Sequence, residues 1–194
     1  MRRGVFSLAV LAVLLAGGCA PRAAVPPPVA APPAVSQADL AYAAGETAME
    51  EANFERALEM FAAAWKYSPG HPGVSKSFPD ALFRLKNSGD DAFRRGLLEE
   101  AGRHWSAALR FASHPAEKGK PLPFTKTEIR AAIDRTSSNL MEKGLVEYRK
   151  GNIEGAIASW RSILAYDPSH AEAARSVQTA STQLENLKKI SPPK

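Results

Sequence analysis

From Ser36 onward, apolar residues recur at intervals of three and four, broken by glycines, prolines and short polar clusters. That spacing gathers them on one face of a helix rather than on alternate sides of a strand, so it predicts an all-α domain without a sheet. Helix starts are signalled where a capping side chain is followed three residues later by an acid: Ser36 with Asp39, Ser77 with Asp80, and Thr125 with Glu128. Only Thr125/Glu128 has the full capping-box composition, and Phe124 before it is placed to staple onto Ile129. Pro69, Pro115 and Pro168 are expected to close hairpins, because proline has no amide proton with which to continue a helix.

A second pattern lies over the first. Three times a glycine is followed at fixed spacing by an alanine and then, one turn on, by a large aromatic: Gly45/Ala57/Phe61, Gly89/Ala101/Trp105 and Gly144/Ala156/Trp160. Glycine and alanine let two helix backbones approach, and the aromatic fills the space beside the crossing. The three triples therefore predict three helical hairpins, with Phe61, Trp105 and Trp160 as core rather than as ligand-binding rings. After Pro168, Ala174, Val177, Leu184 and Leu187 keep a helical spacing among polar residues, which predicts a last helix over 170–189 that caps the stack.

These units resemble the tetratricopeptide repeat, a pair of antiparallel helices of about 34 residues. The resemblance rests on Gly45, Phe54, Ala57, Phe61, Ala64 and Pro69 in 37–70. In 82–115 it rests on Gly89, Gly96, Leu98, Ala101, Trp105 and Ala108, and in 137–170 on Gly144, Gly151, Ile153, Ala156, Trp160 and Pro168. In the second unit Ser113 stands where the family has proline, and Pro115 follows two residues late. The units are not contiguous, and 71–81 and 116–136 read as insertions. Within the latter, 116–124 reads as a basic loop and Thr125 begins one long helix reaching to about Lys150. The domain expected over 37–190 is thus a tetratricopeptide-like stack of three hairpins plus a terminal helix.

The resemblance also implies where a ligand would lie, since the family binds in the concave groove lined by the first helix of each hairpin. The corresponding residues are Tyr42, Glu46, Met49 and Glu50; then Phe83, Lys86, Asp90, Phe93 and Arg94; then Met141, Leu145, Tyr148 and Arg149. Large apolar groups beside arginines are the combination enriched at binding hot spots. Phe93 and Tyr148 are the expected anchors, with Arg94 and Arg149 pairing acids of the partner segment. The competing reading is that long helices or inserted segments cover these side chains and make them further core. Glu46 and Asp90 stand where the carboxylate-clamp subclass has a neutral amide, so capture of a C-terminal carboxylate is not expected.

Composition narrows the classes. A chain of 194 residues with net charge +5 has no dense basic stripe interleaved with aromatics, so nucleic acid is not an expected partner. Asp39, Glu46, Glu50, Glu51, Glu55 and Glu59 make the first hairpin acidic, whereas Lys and Arg predominate afterwards. That asymmetry reads first as a solvated face and second as a means of steering a partner. No nucleophile elbow, zinc-protease motif or phosphate-binding loop is present, so an enzyme is not expected, nor a metal or cofactor. His71, His114 and His170 fall just past hairpin ends, where an imidazole can meet terminal carbonyls or water, while His104 lies on a helix.

The N-terminal stretch supplies an address. Arg2 and Arg3, an apolar run over 5–16 and Gly17-Gly18 have the layout of an export signal, 1–18, and the run is too short to span a bilayer. Leu14-Leu15-Ala16-Gly17-Gly18-Cys19 resembles the bacterial lipobox, with leucine one step further back than the family places it. The resemblance implies a covalent lipid on Cys19, the one cysteine of the chain, and Ala20 in place of aspartate implies the outer membrane. An ordinary secretory signal with an incidental cysteine is the alternative. Residues 19–36 form a lipidated cysteine and a proline- and alanine-rich spacer, which as polyproline II at about 3.1 Å per residue reaches on the order of 50 Å. The resulting expectation is a membrane-anchored adaptor of the bacterial cell envelope, facing the periplasm, that binds a segment of another envelope protein. The alternative is a pilotin-like assembly factor for a secretion, pilus or outer-membrane complex. Peptidoglycan, held by the basic later half, is a third candidate partner.

Overall fold

The computed structural model describes residues 35–119 and 121–190, so Cys19, the export signal and all of the spacer but its last two residues lie outside the described residues. Among the described residues there are seven α-helices: α1 (Gln37–Glu50), α2 (Phe54–Tyr67), α3 (Pro72–Arg94), α4 (Leu98–Phe111), α5 (Lys126–Arg149), α6 (Ile153–Leu164) and α7 (Ala171–Ile190). A short 3-10 helix, Pro115–Gly119, lies between α4 and α5. Helices α1/α2, α3/α4 and α5/α6 pack as antiparallel pairs, each pair packs on the next through α2/α3 and α4/α5, and α7 lies on α6. The architecture is all-α, sequential adjacent pairs, consistent with a helical-repeat stack.

Each pair is held by a close crossing. A methyl group built on Gly45 would run into the ring of Phe61, one on Gly89 into the indole of Trp105, and one on Gly144 into that of Trp160. Ala57, Ala101 and Ala156 are fully buried beside these rings. Phe61 has no solvent exposure, and burying a side chain of this size contributes about 1.5–3 kcal/mol.

The turns inside the three pairs share one geometry. In the first, Asn53 N–H donates to Ala48 O (2.9 Å) and Ala52 N–H to Met49 O (3.1 Å); Leu97 and Gly96 repeat the pattern on Ala92 and Phe93, and Asn152 and Gly151 on Glu147 and Tyr148. These are Schellman closures, which need a left-handed residue just past the helix. Gly96 (φ 75°) and Gly151 (φ 83°) supply it in two pairs, and Ala52 (φ 56°) takes it in the first. Asn53 and Asn152 then cap α2 and α6 with their side-chain oxygens, whereas Leu97 gives α4 no side-chain cap.

Four details depart from the sequence reading. Ser77 and Asp80 start no helix: α3 begins at Pro72, and 71–81 is its first turns rather than a separate insertion. Pro79 is carried inside α3 and is buried, Ser77 faces the Tyr42 hydroxyl (3.4 Å), and Asp80 pairs with Arg84 (2.9 Å). Ser36 and Asp39 form a complete reciprocal capping box, since aspartate at the third position reaches back to the Ser36 N–H as glutamate does at Thr125. Pro115 opens the 3-10 helix rather than closing a hairpin. Among the described residues, the three junction histidines meet no helix-terminal carbonyl through their rings. Each accepts an N–H of the element that follows: Val74 donates to His71 Nδ1 (3.3 Å), Ala116 to His114 Nδ1 (3.3 Å) and Ala173 to His170 Nδ1 (3.2 Å).

Two seams between pairs use the same small-against-aromatic device. Tyr42 on α1 packs over Gly73 on α3, and Tyr166 after α6 packs over Gly102 on α4, with no room for a methyl at either glycine. The Tyr166 hydroxyl meets buried Ser137 at 3.0 Å, and burial is the main reason its phenol pKa lies above the usual value. The last helix buries only Ala173 and Ala180 and turns a polar face outward.

Candidate functional site: a cleft between α3 and α5

Lys86, Asp90, Phe93 and Arg94 fall on one face of α3 because positions three, four and seven apart share a helical stripe. Opposite them, Glu128, Ile129, Ala132 and Arg135 fall on one face of α5, which Thr125 starts at this point through its capping box. Between the two helices lies a cavity of about 390 Å³, floored by Trp105 of α4 and walled at one end by Pro123 and Phe124.

Its polar groups form a connected set. Asp90 Oδ2 accepts from Lys86 Nζ at 2.6 Å, and Asp90 Oδ1 accepts from Trp105 Nε1 at 3.1 Å. The same ammonium lies 5.9 Å from the centre of the Phe124 ring, and the Phe93 ring is tilted against Trp105 with centres 5.7 Å apart. One carboxylate therefore satisfies both the indole and the lysine. The Glu128 carboxylate accepts from Thr125 N–H (2.7 Å) and is occupied as a cap. Arg94 pairs with Asp91 on the solvent side, and Arg135 makes no ion pair among the described residues. With Asp90 neutralised by Lys86 and Arg94 held by Asp91, Arg135 is the cleft cation without an ion pair among the described residues, and the Glu128 carboxylate stands on the same face of α5.

Of the residues expected to form a groove, the cavity brings together Lys86, Asp90, Phe93 and Arg94, with Phe83 stacked on Phe124 (6.5 Å between ring centres) at its edge. The others stand elsewhere. Tyr42 is built into the α1/α3 seam, against Phe61 (5.7 Å) and His71 (5.0 Å), and Met49 is half-buried against the core. Met141 is half-buried and its carbonyl accepts from Trp160 Nε1 (3.2 Å). Tyr148 lies against Trp160 and donates to Gln183 of α7, which ties it to the last helix. Leu145 and Arg149 are exposed on the last turns of α5. The wall from Pro123 to Arg135 was absent from the expectation because that stretch read as an insertion; the Thr125 capping box was the signal that a helical face began there.

A larger cavity, about 560 Å³, opens beside the α3–α4 turn against α5 and α6. No aromatic side chain lines it, and Glu99 within it is engaged by Arg103 and by Ser162 (2.7 Å). The smaller cleft is the one in which rings, a partly buried hydrogen-bond network and an arginine without an ion pair among the described residues, Arg135, converge. Among the described residues no group of His, Cys, Asp and Glu side chains is placed to hold a metal ion, and no helix is long and apolar enough to cross a membrane. Comparison with protein-family models gives no match for this chain, and neither does comparison with curated proteins.

Proposed function

We propose that this chain is a tetratricopeptide-like adaptor, anchored in the bacterial envelope through a lipid on Cys19, and that it holds a segment of a partner protein in the cleft between α3 and α5. The observation that carries the reading is the meeting of Phe93, Trp105 and Phe124 with Arg94 and Arg135 around one cavity. Aromatic walls offer apolar contact at low entropic cost, and arginine forks pair carboxylates in two-point contacts. The occupant is accordingly a short segment with an apolar side chain flanked by acids. Support for the anchor is the lipobox-like run ending at Cys19 and the proline-rich spacer behind it.

The test is site-specific photocrosslinking in envelope membranes of the source cell, with the crosslinker at Phe83 on the cleft edge and, as control, at Gln178 on the exposed face of α7. The expected result is one or a few proteins captured from Phe83 and not from Gln178, and lost in a folded Phe93→Ala/Arg135→Glu variant. Equal capture from both positions, or capture unchanged by the double variant, overturns the cleft as the binding site.

A further inference from the structure

Three of the four histidines hold the same post. His71 precedes α3, His114 precedes the 3-10 helix and His170 precedes α7, and in each the Nδ1 atom accepts a backbone N–H from the first turn, at 3.2–3.3 Å. These positions are the joints of the stack: the turn from the first pair to the second, the passage out of the second, and the turn from the third pair to α7. A helix start leaves its first amide protons without intrahelical partners, so an acceptor placed there stabilises the element that follows. Serine, threonine and asparagine fill this role elsewhere in the chain, at Ser36, Asn53, Thr125 and Asn152. Imidazole differs from all of them in one respect: it accepts at Nδ1 only while that nitrogen is unprotonated.

We infer that His71, His114 and His170 form an acid-sensitive set of caps, so that protonation withdraws the acceptor at three joints and loosens the packing of one helical pair on the next. A protonated Nδ1 turns a hydrogen-bond acceptor into a donor facing another donor, and it places a positive charge at the positive end of a helix.

The surroundings of each ring decide how strongly it responds. His114 is stacked on Phe78 of α3 (4.8 Å between ring centres) and lies edge-on to Trp65 of α2 (6.3 Å). The ionic groups near it are Glu117 in the 3-10 helix, and Lys126 of α5, whose ammonium meets the neighbouring Ser113 at 2.8 Å. Burial among the rings pushes its pKa down, so its contribution to stability is present above the ordinary imidazole pKa and is lost as pH falls through the lowered one. His170 follows Asp167, whose Oδ1 is already held by the N–H and hydroxyl of Ser169, and Arg110 of α4 with Arg130 and Asp134 of α5 border the same corner. His71 carries Asp39 of α1 on its other nitrogen (Nε2 to Oδ1, 3.3 Å) and Tyr42 of α1 against its ring. His104, within α4 and 3.7 Å from Glu100, caps nothing and stands outside the set.

The experiment needs no partner protein. Thermal unfolding is followed from about pH 7.5 to about pH 5.5, the interval in which unperturbed imidazoles titrate, together with amide exchange at Val74, Ala116 and Ala173. Wild type should lose about 2–4 °C in Tm for each cap withdrawn, and those three amides should lose protection first. The variant H71N/H114N/H170N keeps an acceptor oxygen near the place of Nδ1 and cannot titrate, so its Tm and its three amides should be flat over the same interval. A wild type whose Tm and amides do not respond, or a triple variant that falls equally, overturns the inference. Should the loss of the His114 stack prevent folding of the triple variant, H170N alone decides by the same reading of Ala173: protection that still falls at acid pH counts against the cap.

Discussion

Gly89 on α3 lies flat against the indole of Trp105 on α4, so close that a methyl group on the glycine would stand 2.5 Å from Trp105 Cδ1. Carbon atoms rest about 3.5–4.0 Å apart, and both backbones are locked into their helices, so the crossing has no slack. In mid-helix, Gly→Ala ordinarily stabilises by roughly 0.5–1 kcal/mol. Here Gly89→Ala and Gly144→Ala should destabilise by about 1–3 kcal/mol through overpacking, read from urea unfolding at constant m. A gain in stability for either variant would remove the close crossing from the account.

The turns within pairs call for the opposite change. Ala52 occupies the left-handed position that Gly96 and Gly151 fill in the other two pairs, a conformation costing an L-residue roughly 1–2 kcal/mol. Ala52→Gly should therefore raise stability by about 0.5–1 kcal/mol after the greater entropy of the unfolded glycine is set against it. Leu97 stands where Asn53 and Asn152 cap their helices, and Leu97→Asn should add about 1 kcal/mol. Calorimetry on the two single variants decides both signs.

Asp90 serves two donors, and its replacements separate them. Asp90→Asn keeps an acceptor for the Trp105 N–H and removes only the partly exposed pairing with Lys86, for which a loss under about 1 kcal/mol is expected. Asp90→Ala leaves the indole N–H without its partner and should cost about 1–3 kcal/mol, with a shift in tryptophan emission. Equal losses for the two variants would mean that the indole bond contributes nothing.

The pairing of helices was legible because its signal is local in phase: glycine, alanine and aromatic at fixed helical spacings declare both the crossing and what fills it. The start of α3 was obscured because Ser77 and Asp80 have the spacing of a cap and Pro79 reads as a break, whereas the working cap is a histidine followed by Pro72 at the first helical position. The seams Gly73–Tyr42 and Gly102–Tyr166 left no trace, since each joins residues of different pairs with no shared spacing. For the cleft, the α3 side was readable as one stripe. Its opposite wall was not, because the helical face of Ile129 and Arg135 belongs to a stretch without the repeat signature.

The three tryptophans are divided evenly along the stack, Trp65 on α2, Trp105 on α4 and Trp160 on α6, each in its own pair. Every pair thus carries one tryptophan. Unravelling that begins at a single joint leaves two emission signals untouched, while concerted collapse moves all three together, so the molecule reports optically on how cooperatively its own segments hold.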